Sequence, residues 1–63
     1  MTFEEYALNY AELGFPVFPL IPRTKIPFKG SGGLHDATTN EEQIIAWWSQ
    51  NPNANIGIST QNL

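Results

Sequence analysis

The adjacent tryptophans Trp47 and Trp48 constrain this chain more than any other feature, because of what brackets them. Upstream, Thr39-Asn40-Glu41-Glu42 reads as a capping box, in which a threonine hydroxyl meets the N–H three residues on and a glutamate there reaches back. Thr38-x-x-Glu41 is the same box one residue earlier. Downstream, Asn51-Pro52 stops a helix, since proline disfavours helical backbone at the residue before it. Between these signals Ile44, Ile45, Trp47 and Trp48 recur at helical spacing, so a helix over about 40–50 carries a wide apolar stripe. Neighbouring positions on a helix point about 100° apart, which puts one indole in the core and the other at its margin. Asn53-Ala54 then turn the chain, and Asn55-Ile56-Gly57-Ile58 reads as a short strand in which Gly57 admits a close approach.

The N-terminal half repeats this grammar. Thr2-Phe3-Glu4-Glu5 is a second capping box, and Gly14 supplies a left-handed stop. Phe3, Tyr6, Ala7, Tyr10, Ala11 and Leu13 fall at the spacing of one buried face, giving a helix over about 3–13. Val17, Phe18, Leu20 and Ile21 favour a strand near 16–20, but Pro16, Pro19 and Pro22 confine it to an edge or keep it short. Residues 22–38 read as loop, broken by Pro22, Pro27, Gly30, Gly32 and Gly33. Phe18, Leu20, Ile44, Trp47, Trp48, Ile56 and Ile58 are the expected core. The order helix, strand, long loop, helix, strand indicates an α+β unit with two short parallel strands joined by a crossover and helices on one face. Two short strands seldom make a stable sheet alone.

Size sharpens that point. A chain of 63 residues buries only about 60% of its unfolded surface. With no cysteine there is no disulfide, so stability must come from a dense aromatic core, a second copy or further chain. Two Trp, two Tyr and four Phe favour folding over disorder. No apolar run is long enough to span a membrane, and the acidic start lacks a signal-peptide pattern, which together suggest a cytoplasmic protein.

Net charge is −3, which argues against a freestanding nucleic-acid binder. The three basic residues, however, cluster: Arg23, Lys25 and Lys29 lie in one segment that holds no acid. The neighbouring Lys29-Gly30-Ser31-Gly32-Gly33 is neither a Walker loop nor a dinucleotide fingerprint, because the required spacing and the following helix are missing. It reads either as a connector or as a loop whose amides, with Lys25 or Lys29, approach phosphate. His35-Asp36 lacks a third partner, and Asp36 suits a bond to backbone N–H groups of the following turn. The acids Glu4, Glu5, Glu12, Asp36, Glu41 and Glu42 do not alternate along a strand as a two-metal site would require. No nucleophile–base–acid set is present, so this chain alone carries no catalytic residues.

Several blocks, taken in order, resemble a known family. They are Ala7-x-x-Tyr10-Ala11, Gly14-Phe15-Pro16-Val17-Phe18-Pro19-Leu20, Pro22-x-x-Lys25-x-Pro27, Gly32-Gly33, Asp36-Ala37-Thr38-Thr39, Trp47-Trp48 and Pro52-x-Ala54-Asn55-Ile56-Gly57-Ile58. Together they resemble the start of the bifunctional DNA primase/polymerase domain of the archaeo-eukaryotic primase superfamily, frequent in phage, prophage and plasmid replication proteins. The resemblance implies an incomplete piece of a larger α/β fold, with the rest of that domain as partner and DNA and nucleotides as ligands of the parent nucleotidyltransferase. It also implies that metal-binding carboxylates for Mg or Mn follow the Asn-Ile-Gly-Ile block, beyond Leu63. Gln61 departs from the glycine many relatives carry there. Under the resemblance, Arg23, Lys25, Lys29, Gly32 and Gly33 become candidate phosphate contacts. The alternative is a small interaction module that binds a partner or self-associates through an open sheet edge or the Trp face.

Overall fold

The computed structural model describes residues 1–59; Gln61 lies outside them. Its elements are α1 (Phe3–Glu12), β1 (Val17–Leu20), a 3-10 turn (Gly33–Asp36), α2 (Glu41–Gln50) and β2 (Asn55–Ile58). The class is α+β.

Helix α1 begins where its sequence says it should. Glu5 N–H donates to Thr2 Oγ1 at 3.1 Å, and Thr2 N–H donates to Glu5 Oε1 at 3.1 Å. The Thr2 backbone N–H, and after it the Thr2 hydroxyl, hold the Glu5 carboxyl below the usual carboxylate range. At the other end Gly14 sits at φ 95°, Gly14 N–H donates to Ala11 O and Phe15 N–H to Tyr10 O, each at 3.0 Å. These are the two bonds of a Schellman stop. The buried face is narrower than the spacing suggests. Ala7 and Ala11 face the core, whereas Phe3, Tyr6, Tyr10 and Leu13 are exposed.

Helix α2 starts one residue later than the Thr39 box and two later than the Thr38 box. Asn40 is the cap, its Oδ1 accepting from Gln43 N–H at 3.0 Å. The reason lies upstream. Thr38 exchanges two backbone bonds with Val17, at 2.9 and 3.0 Å, so its backbone is committed to extended structure. Thr38 Oγ1 instead accepts from Asn40 N–H, and asparagine is as good a cap as threonine.

The strands run antiparallel, with Val17 opposite Ile58, Phe18 opposite Gly57, Pro19 opposite Ile56 and Leu20 opposite Asn55. The parallel expectation assumed that α2 carries the chain back along β1. The segment before α2 has already done so, because Thr38 lies beside Val17. Helix α2 therefore runs from the Val17 end to the Leu20 end, and β2 returns the opposite way.

This register also accommodates Pro19. Val17 spends both backbone groups on Thr38, away from β2. Antiparallel alternation then points those of Phe18 and Leu20 toward β2, and the nitrogen of Pro19 away from it. Pro19 thus sits inside β1 without removing a bond from the β1–β2 ladder. Beyond it, Thr38 and Pro27 bridge to Val17 and Leu20, so the far side of β1 is flanked as well.

Both faces of β1 are covered, all four residues being buried. On one face Val17 packs with Ala7, Ala11, Ile44, Trp48 and Ala54. Trp48 is 1% exposed and its Nε1–H donates to Ala54 O at 2.9 Å, which pins the turn after α2. Trp47 and Ile56 are half-buried against this core, and Trp47 meets Trp48 edge-on at 6.3 Å between ring centroids. Ile58, expected in the core, sits at the rim and is 36% exposed, on the edge of β2 that pairs with no strand among the described residues. On the other face, Phe18 lies over Gly57, where an added Cβ would run into the phenyl ring.

Candidate functional site

The long segment between β1 and α2 holds every candidate contact residue, and it is stitched down throughout. Ile21 N–H donates to Ile26 O at 2.8 Å, and Thr24 Oγ1–H donates to Ile21 O at 2.8 Å. Ile26 N–H donates to Thr24 Oγ1 at 3.1 Å. Asn55 Nδ2–H reaches from β2 to Thr24 O at 3.0 Å, joining strand and loop across 31 positions of sequence. Arg23 takes a left-handed φ of 61° at the tip of this turn, a conformation uncommon for a residue with a Cβ.

The glycine-rich part closes on itself. Ser31 Oγ–H donates to Phe28 O at 2.7 Å and Ser31 Oγ accepts from Gly33 N–H at 3.3 Å. Gly32 N–H donates to Asp36 Oδ2 at 2.6 Å. Asp36 therefore reaches backward, to the residue before the 3-10 turn, rather than to the turn that follows it. Gly33 is buried at φ 55°, with an added Cβ meeting the Pro27 ring at 3.0 Å. The two amides that an anion cradle would use are thus engaged by the chain's own oxygens.

The cations are placed differently. Arg23, Lys25 and Lys29 are exposed. Arg23 borders a shallow groove with Phe3, Pro22, Asn53 and Asn55. Gly33 instead borders a small cavity with Phe18, Pro19, Ser31, Asp36 and Trp47. The fold does not bring Arg23 and Gly33 into one cavity. The loop therefore presents exposed side-chain charge on a hydrogen-bonded backbone.

A broader open groove of about 840 Å³ lies between the 3-10 turn and α2, bordered by His35, Asp36, Asn40, Glu42, Gln43 and Trp47. Asp36 is bonded to Gly32 and Asn40 caps α2, so two of its polar groups are already engaged. Its remaining carboxylate, Glu42, makes it unfavourable for phosphate. Among the described residues no three His, Cys, Asp or Glu side chains gather to hold a metal ion. The residues described do not fit a metal centre.

One feature escaped sequence reasoning: Asn55 serves both loop and strand. The close approach expected at Gly57 is present, and the group that makes it is the Phe18 ring.

A family model described as Prim-Pol, bifunctional DNA primase/polymerase, N-terminal, matches residues 7–63. No curated protein and no solved structure matches the chain.

Proposed function

This chain belongs to the bifunctional DNA primase/polymerase N-terminal family, and from that premise we propose that it is a non-catalytic N-terminal portion of a cytoplasmic primase/polymerase acting in phage or plasmid DNA replication. The observation that carries the reading is the match itself, which runs from the second turn of α1 through the basic loop and β2. In this reading the segment is a scaffold, and the rest of its domain holds the nucleotide, the Mg or Mn ions and the reacting groups.

The finer part of the proposal concerns the loop. Lys25 and Lys29, with Arg23, contact DNA or nucleotide phosphates through their side chains, and Gly32 and Gly33 shape the backbone that presents them. The engagement of the Gly32 and Gly33 amides supports side-chain contact over an amide cradle. A salt titration of DNA and nucleotide binding tests this, with Lys25→Ala and Lys29→Ala as variants. Each substitution is expected to reduce the slope of log K against log salt by about 1, uniformly across sequences. Weak binding that neither substitution alters would remove the phosphate role.

A further inference from the structure

The chain turns sharply as it leaves β1. Thr24 N–H donates to Ile21 O at 3.0 Å, closing a β-turn with Pro22 second and Arg23 third. A positive φ at the third position behind a proline is the pattern of a type II turn, and that position normally takes glycine or asparagine. Arg23 holds it instead, at φ 61°, and no other non-glycine residue among those described has a positive φ. Glycine would form this turn at no steric cost. A residue kept in so sparsely populated a conformation persists where its surroundings over-determine it, and such residues cluster at functional sites.

The surroundings of Arg23 come from two sources. Within the loop, Thr24 Oγ1–H donates to Ile21 O at 2.8 Å, Thr24 Oγ1 accepts from Ile26 N–H at 3.1 Å, and Ile21 N–H donates to Ile26 O at 2.8 Å. These bonds shape the turn but stay inside it. The bond from outside is Asn55 Nδ2–H to Thr24 O at 3.0 Å, on the residue directly after Arg23. Asn55 is itself fixed, since it lies opposite Leu20 in the ladder and its Oδ1 accepts from Ile56 N–H at 3.0 Å. Through this one residue β2 holds the turn at its root, by the backbone, and at its far side, by the side chain. All the bonds that place Arg23 lie within residues 20–56.

We infer that Asn55 is a positioning residue for Arg23. Its side-chain amide sets the turn so that the guanidinium stands at the border of the groove with Phe3, Pro22 and Asn53, where it meets a nucleic-acid phosphate. The inference rests on the reading that the basic loop contacts phosphate, and it ranks the cations of that loop. A guanidinium held in place offers paired N–H donors to phosphate oxygens, and a contact ordered in advance loses less freedom on binding. None of the five residues bordering this groove is acidic, whereas Glu42 borders the groove beside α2. Lys29 belongs to the glycine-rich part, whose bonds run among Phe28, Ser31, Gly32, Gly33 and Asp36 and do not involve Asn55.

A double-mutant cycle on the whole chain tests this, with a mixed-sequence single-stranded oligodeoxynucleotide at low salt as the probe. Asn55→Leu removes the side-chain donor and keeps the backbone opposite Leu20. Arg23→Gln is expected to weaken binding about tenfold in the native chain and less than about twofold in Asn55→Leu. Lys29→Gln should weaken binding by the same factor in both backgrounds. Amide hydrogen exchange gives a reading without DNA. Thr24 and Ile26 should exchange about tenfold faster in Asn55→Leu, while Ile44 and Asn51, bonded within α2 and its cap, keep their rates. Should Asn55→Leu not fold, Asn55→Ser, too short to reach Thr24 O, takes its place. Unchanged exchange at Thr24 and Ile26 overturns the positioning role whatever the binding shows. So does an Arg23→Gln effect that stays tenfold after the turn has loosened, or an exchange increase that spreads to α2 and makes Asn55 a residue of general stability. If neither Arg23→Gln nor Lys29→Gln alters binding in the native chain, the phosphate reading itself fails and the inference with it, and the exchange rates still report separately whether Asn55 holds the turn.

Discussion

Helices α1 and α2 begin from nearly the same local chemistry and end in opposite roles. Each is ten residues long, each has a side-chain cap and two acids in its first turn, and neither has a basic residue in its last. Yet α2 buries Ile44 and Trp48, while α1 buries Ala7 and Ala11 and leaves its aromatic residues at the surface. Fully burying a large apolar side chain contributes about 1.5–3 kcal/mol, and alanine far less. Core stabilisation is therefore concentrated on α2. The alanines of α1 allow it to lie close over the sheet, and its large residues are pushed to the rim. Capping decides that a helix forms; the size of the residue at the inward position decides whether that helix anchors the core or covers it.

The strongest attempt to break this contrast is Trp48→Ala set against Tyr10→Ala. Loss of the buried indole and its bond to Ala54 should cost about 3–5 kcal/mol, enough to leave so small a domain largely unfolded. Tyr10→Ala should stay within about 0.5 kcal/mol. Urea melts of both variants give the comparison, and equal losses would mean that α1 carries as much of the core as α2.

Gly57→Ala asks whether the opposite face of the sheet is as tightly packed as the α2 face. The new methyl would meet the Phe18 ring, and a cost of about 1–3 kcal/mol is expected from thermal melts. A neutral substitution would show that the ring has room to swing away.

The smallest effect sharpens the contrast at the helix starts. Glu5 is held below its ordinary pKa by Thr2, so the unfolded chain binds the proton more readily than the folded one. Its contribution is present above the unfolded value and is lost as pH falls through the lowered folded value. Asn40, the cap of α2, has no such titration. A pH series of melts on the native chain and on Glu5→Gln should differ in the acid range, and identical profiles would remove the Glu5 bond from the account.

What was legible in the sequence follows the range of the interaction. The start and stop of α1, the proline stop of α2 and the Asn-Ile-Gly-Ile strand are set by bonds spanning a few residues, and they can be read directly. The direction of β2 could not be, because it depends on where the loop delivers Thr38. The local pattern places the cap of α2 at Thr39, with Thr38 as the alternative frame; the Thr38 backbone is claimed by Val17 and the cap falls to Asn40. The candidate site was readable as a cluster of charge, Arg23, Lys25 and Lys29. The engagement of Gly32 by Asp36 and of Gly33 by Ser31 was not, since both bonds need the loop folded first.

The return of the chain to the Val17 end before α2 begins also bears on how the molecule reaches its fold. A hairpin of the same two strands would close a loop of a few residues, but here Leu20 and Asn55 are adjacent only after a long excursion. The intervening segment is roughly eight times a four-residue hairpin loop, three doublings, or about 2 kcal/mol of additional closure entropy. Such a ladder is a poor nucleus, because its first contact returns little against that cost. Helix α2 and the turn pinned by Trp48 are local, and once formed they deliver Asn55 beside Leu20. Closure entropy therefore favours the sheet as the closing event of folding and α2 with its pinned turn as the earlier one.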